Sequence, residues 1–315
     1  MRRKLPLPVL ALAAACLSPH ARAVEGAIGR PVSGATIAPF AGVIPPDPGF
    51  VFTVSEIYYT ADIGGNRPAP FGTNLALNLD GELSFTNFTL TYIWDTQVPQ
   101  WNFASAISLP LASVDVQASV AVGPLSVTRG DDEFGLFDLA FVPLAASYHL
   151  SKSDHLGLGL TIWAPTGDYD PSRLSNLSLN NWTFIPNVSY TKLWMERGLE
   201  FSASWGVQFY TENPDTDYQN GVVSDLEATL IQRFPCGMGV GVVGSWIDQF
   251  NDDSGPTADK LGGFSGRALG VGPILTYTKK FGDSQLDLNA RWIHEFEVEK
   301  RMDGDVFYFA AGYKF

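Results

Sequence analysis

The stretch Tyr148-His149-Leu150-Ser151 sets a histidine two residues from a serine, so an imidazole could take the hydroxyl proton and leave a nucleophile. Ser151 also opens Ser151-Lys152-Ser153, a run with the composition of a tight turn. We adopt the turn reading and assign no catalytic residue. Asp168, Asp170, Asp252 and Asp253 offer hard oxygen donors that could hold calcium or bridge divalent cations to lipopolysaccharide phosphates. They follow no ligand loop of fixed spacing, so they are candidates only and no metal site is assigned. His149, His155 and His294 are scattered without metal-ligand spacing, and His20 lies in the leader described below. No cofactor is expected.

The elements that would carry these residues read as strands. The stretch from Leu286 places Leu286, Leu288, Ala290, Trp292 and Phe296 on one side, and Gln285, Asp287, Asn289, Arg291 and Glu295 on the other. The same period of two sets Phe88, Leu90, Tyr92 and Trp94 against Asn87, Thr89, Thr91 and Asp95. It recurs over 182–195 and 198–210. One side carries bulky rings and the other Asp, Glu and Arg, a division that suits a wall with lipid outside and water inside. Twelve strands are expected: 50–60, 83–95, 102–118, 135–150, 154–164, 182–195, 198–210, 222–234, 238–250, 265–279, 285–297 and 306–315. Links after even-numbered strands are short, as at 151–153, 235–237 and 281–284. Those after odd-numbered strands (61–82, 119–134, 165–181, 211–221, 251–264, 298–305) are longer and rich in Gly, Pro, Asn and Asp. Short periplasmic turns alternating with longer outer loops predict an all-β, antiparallel up-and-down transmembrane barrel of the outer-membrane type, with both termini in the periplasm. Pro143 and Pro273 fall inside apolar runs and mark irregularities in pairing.

The remaining signals agree with export. Arg2, Arg3 and Lys4 precede an apolar run from Leu5 to Leu17 and an Ala21-Arg22-Ala23 cleavage site, so 1–23 reads as a signal peptide. Cleavage removes four positive charges and takes the formal charge from −13 to −17, which argues against a nucleic-acid partner. Only Cys236 remains, so no disulfide framework is possible. The segment 24–49, with Pro45-Pro46-Asp47-Pro48-Gly49, contains no wall strand and is expected to be a periplasmic lead-in or a lumenal plug. The barrel proper is then 50–315. Its last residues alternate Phe307, Phe309, Ala311, Tyr313 and Phe315 with Tyr308, Ala310, Gly312 and Lys314, an apolar stripe that needs a lipid surface to face.

Thr89, Asp138, Asn187, Ser202, Asp225, Glu227, Arg267, Asn289, Arg291 and Glu295 fall on polar sides, and Arg–carboxylate pairs among them could narrow a lumen. Trp163, Tyr169 and Trp182 bracket the 165–181 loop as a possible aromatic mouth. The expected substrate path therefore comprises Trp163, Tyr169, Trp182, Asp225, Glu227, Arg267 and Arg291.

Several motifs, in order and spacing, resemble the outer-membrane protein family associated with the meta-pathway of phenol degradation. They are Asp138-Leu139-Ala140 with Pro143-Leu144, His155-Leu156-Gly157-Leu158-Gly159, Ala164-Pro165-Thr166-Gly167-Asp168-Tyr169, Asn181-Trp182-Thr183-Phe184-Ile185-Pro186, Tyr218-Gln219-Asn220-Gly221, Asp252-Asp253-Ser254-Gly255, Gly266-Arg267 with Gly270-Val271-Gly272-Pro273, and Glu295-Phe296. The resemblance covers 138–315 and implies an outer-membrane channel for hydrophobic or aromatic small molecules. The Tyr313 and Phe315 ending resembles the terminal strand read by the barrel-assembly machinery. Expected partners are thus that machinery, outer-membrane lipid and lipopolysaccharide, and an aromatic or hydrophobic solute. Two other readings stay open. One is a structural or adhesive barrel with a filled lumen. The other is a lipid hydrolase, since His149-x-Ser151 resembles the pair of twelve-stranded outer-membrane phospholipases, although Lys152-Ser153 replaces their Asn-Gly and the turn lies on the opposite side.

Overall fold

The computed structural model describes residues 29–71, 74–122, 125–261 and 265–315. The signal peptide and the first five residues of the 24–49 segment lie outside the described residues. The strands are β1 (Gly49–Phe71), β2 (Asn74–Ile93), β3 (Trp101–Val122), β4 (Leu125–Leu136), β5 (Leu139–His149), β6 (Asp154–Ala164), β7 (Thr183–Trp194), β8 (Leu199–Tyr210), β9 (Val223–Arg233), β10 (Met238–Gln249), β11 (Arg267–Phe281), β12 (Ser284–Glu299) and β13 (Asp303–Lys314). Every neighbour pair is antiparallel, and β1 pairs with both β2 and β13, which closes the wall. Closure leaves no free edge in lipid, where unpaired backbone groups would be costly.

The wall has twelve strands because β4 and β5 act as one. β3 pairs with β4 along Leu111–Val122 and with β5 along Trp101–Ser108, so the two short strands lie end to end beside it. The joint falls at Phe137 and Asp138, and the Phe137 amide donates to the Pro110 carbonyl. The links expected at 61–82 and 119–134 are not open loops. β1 with β2, and β3 with β4, continue as paired hairpins beyond the belt. Gly64, Gly65, Pro68 and Pro70 had marked 61–82 as a loop. The ladder absorbs them by a register shift between Ile63 and Pro68. Pro143 likewise sits at a register shift between Phe141 and Ala145, with its carbonyl accepting the Ser105 hydroxyl at 2.6 Å.

The apolar sides face outward. Phe52, Leu90, Trp205, Phe209, Leu230, Val242, Leu275, Trp292, Phe307 and Phe309 are exposed in the absence of lipid, whereas Glu200, Ser202, Glu227, Arg291 and Glu295 are buried within the barrel. In water such a surface would be an extended apolar patch; in a bilayer it is solvated. Some carboxylates on the outer face have partners, as Glu82 does in the Tyr58 hydroxyl at 3.2 Å. Glu56 lies between Val54 and Tyr58 and accepts the Ser84 and Thr86 hydroxyls at 2.5 Å each, satisfied by its neighbours rather than by water.

Candidate functional site in the barrel lumen

Residues 29–48 have no regular structure, so their backbone polar groups need partners from elsewhere. The inward faces supply them. Glu227 accepts the amides of Thr36 (3.1 Å) and Ile37 (2.5 Å), while Asp225 accepts the Thr36 hydroxyl at 3.0 Å. Glu200 accepts the Phe40 amide (2.6 Å), and Glu295 the Ser33 hydroxyl (2.6 Å). Cations serve the carbonyls: Arg291 donates to Ile37 (2.6 Å) and Arg301 to Pro31 (2.7 Å). Ser147, Ser189, Thr191 and Asn102 hold 41–44 in the same way. Buried polar groups are tolerated when satisfied like this, and the segment is thereby threaded through the lumen.

The wall is shaped to receive it. A Cβ on Gly157 would lie 3.2 Å from the Gly42 Cα and 2.4 Å from the Ser189 hydroxyl, so only glycine lets the segment approach β6 this closely. Gly157→Val is expected to push the segment off the wall. Higher single-channel conductance with an intact barrel is the expected reading.

The Arg30–Asp138 pair is the most enclosed. Their side chains are 3% and 0% exposed and 2.6 Å apart. Asp138 also accepts the amides of Thr166, Gly167 and Leu179, each at 3.1 Å. One carboxylate thus ties the lumenal segment to both ends of the 165–181 loop. The Arg30 guanidinium carbon stands 5.5 Å from the Phe137 ring centre and 5.0 Å from that of Trp163. Phe85, Phe137 and Trp163 continue edge to face at 5.1 and 6.3 Å. These rings, with Ile57, Phe141, Val142 and Tyr308, wall a cavity of about 290 Å³ between the segment and strands β1, β2, β3, β5 and β6.

The residues expected to form the path divide. Asp225, Glu227 and Arg291 face the lumen but bind the segment, with Arg291 also 3.9 Å over the Tyr308 ring. Trp163 lines the cavity. Trp182 does not join it: it is exposed on the outer face and stacks with Phe184 at 6.5 Å, a girdle position. Tyr169 is partly buried in the loop, apart from both. Arg267 is not lumenal. It shares the outward side of β11 with Val271 and Leu275 and pairs with Glu299 at 3.0 Å, above the belt where an outward charge meets water. Tyr313 and Phe315 are outward and exposed, edge to face at 5.1 Å.

The four acidic candidates do not converge. Asp168 pairs with Arg173 at 2.6 Å, and Asp170 accepts the Ser172 amide and hydroxyl, which holds its carboxyl below the usual range. Asp252 is exposed. Asp253 is buried and accepts Tyr218 (2.5 Å), Gly221 (2.6 Å) and Gln249 (2.6 Å). Among the described residues no group of three or more His, Cys, Asp or Glu is placed to hold a metal. Burial outweighs the three donors and pushes Asp253 up to about 7. The folded protein therefore holds a proton that the unfolded chain releases, and stability falls as pH rises from about 4 to about 7. The melting temperature is expected to drop across that window, and Asp253→Asn to flatten the drop. An unaltered slope in the variant would place the dependence elsewhere.

His149 and His155 are not scattered: β5 and β6 pair them across the turn, with their Nδ1 atoms 2.6 Å apart. The other His149 nitrogen faces Asn102 at 2.6 Å, and Ser151 donates to Asp154 at 2.6 Å. Both imidazole nitrogens are thus engaged away from Ser151, the reverse of what a serine nucleophile needs.

The family profile described by its link to the MetA-pathway of phenol degradation matches residues 65–311. The chain belongs to that family. Among curated proteins no sequence matches it. Of solved structures, the COG4313 outer membrane channel from Pseudomonas putida F1 is similar at a TM-score of 0.69 and 16% identity, covering 89% of this chain and 100% of that one. A FadL homologue of Pseudomonas aeruginosa (TM-score 0.42, 10% identity, 93% and 97% covered) and the β domain of the Bordetella autotransporter BrkA (0.48, 13%, 85% and 99%) are more distant. The first shares the fold, which is that of an outer-membrane barrel.

Proposed function

We propose that this protein is an outer-membrane channel for uptake of hydrophobic or aromatic small molecules, in which residues 29–44 set the width and lining of the path. The observation that carries the reading is the aromatic-walled cavity left between that segment and the wall. Membership of a family linked to phenol degradation supports aromatic cargo, as does the likeness to a barrel described as a channel. Diffusion of an apolar solute through such a lumen needs no cofactor and no covalent chemistry. Lipopolysaccharide resists apolar solutes, and a barrel that takes them up bypasses that layer. In liposomes whose outer leaflet carries lipopolysaccharide, purified protein is expected to raise phenol entry above that of the same vesicles without protein; equal rates would overturn the channel.

A structural barrel with a filled lumen is the second reading, favoured by the number of bonds that hold the segment. It predicts no solute entry and no change of conductance on adding aromatics. Lipid hydrolysis is expected to be absent in the wild type and in Ser151→Ala alike, measured in detergent; hydrolysis lost only in the variant would restore the enzymatic reading.

A further inference from the structure

Most polar groups on the inner wall are committed, either to the lumenal segment or to each other. Thr89 and Ser108, which line the same cavity, bond together at 2.9 Å. Ser55 and Asn87 differ. They face each other across β1 and β2, both line the aromatic-walled cavity, and neither side chain has a hydrogen-bond partner among the described residues. A carboxamide and a hydroxyl set unpaired beside Phe85 and Ile57 form a polar edge on an apolar chamber. Pockets for small organic ligands take that form, with one orienting group among rings.

Resting on the channel reading, we propose that this cavity is a binding site for a single-ring aromatic carrying one neutral hydrogen-bonding group, with Asn87 and Ser55 gripping that group and Trp163, Phe137 and Phe85 enclosing the ring. Size agrees: about 290 Å³ is available, and about 150 Å³ suffices for benzene. Charge agrees as well. Arg30, the cation among the lining residues, is neutralised by its ion pair with Asp138, so an anionic ring meets no uncompensated positive charge there. An unsubstituted ring would leave the Asn87 carboxamide unpaired in an apolar setting and is bound less well for that reason.

The test uses the full-length protein in detergent, titrated with phenol, toluene and benzoate. The readout is the saturable tryptophan fluorescence change that disappears in Trp163→Phe. Phenol is expected to give this signal at lower concentration than toluene, and benzoate to give none. Asn87→Leu is expected to weaken phenol at least tenfold and toluene less than threefold, with Ser55→Ala intermediate. Heat-modified gel mobility shows that each variant barrel is folded. Equal weakening of phenol and toluene, a response to benzoate, or no signal dependent on Trp163 would each overturn the site. The two readings fail separately. Liposome entry of phenol that Asn87→Leu leaves untouched, without a Trp163 signal, removes the site and keeps the channel; no entry in the wild type removes the channel.

Discussion

Deleting residues 29–44 is expected to turn a nearly closed barrel into an open pore, with single-channel conductance rising on the order of tenfold, because a barrel of twelve strands encloses a lumen that side chains alone do not fill. Five inward carboxylates, Asp138, Glu200, Asp225, Glu227 and Glu295, lose partners in that deletion. In a dry core their isolation would be ruinous, but water enters the vacated lumen and hydrates them. The melting temperature should therefore fall by less than the number of broken bonds suggests, while ion flow changes sharply. The remaining charges favour cations in the opened pore. A deletion barrel with wild-type conductance would show that the segment does not set the width.

Asp138→Ala carries the second large effect. The change leaves Arg30 buried without its counter-ion and frees three backbone amides at the two ends of the 165–181 loop. Removing one partner of a buried ion pair costs about 3–5 kcal/mol. The variant is expected to unfold at lower temperature and to be cut by protease within 165–181, where the wild type resists. Arg30→Met should cost less, because Asp138 keeps its amide donors. The double variant should recover part of the Asp138→Ala loss, since no unpaired guanidinium remains; additive losses would deny the coupling.

The barrel was legible because lipid imposes a strict rule on outward residues. Leu286, Leu288 and Trp292, or Phe201, Trp205 and Phe209, cannot alternate with Arg and Glu by chance over so many strands, and the short turns then fix the up-and-down order. Lumenal pairing obeys no such rule. Glu200 falls on the polar side of the 198–210 alternation beside its local partner Ser202, but Arg233 and the Phe40 amide, which it also binds, lie far off in sequence, and nothing local announces them. The match of Arg30 to Asp138 across 108 residues is equally silent. Arg267 was misplaced because polarity was taken to mean inward, which holds only within the apolar belt. The β1–β2 and β3–β4 hairpins were misread because Gly and Pro mark breaks in water-exposed chain; in β1–β2 a register shift absorbs them, and β3–β4 pairs without interruption. The meeting of His149 with His155 was within reach, since a three-residue connection at 151–153 sets the hairpin register that joins them.

The order of the chain makes construction and occupancy one event. The lumenal segment runs directly into β1, and β1 finds its second neighbour only in β13, so the cylinder cannot seal until the final strand arrives. Through all the preceding steps the seam beside β1 stands ajar, and the segment can be laid sideways against the growing wall. After sealing, the same segment could enter only by being drawn lengthwise through the opening at one end.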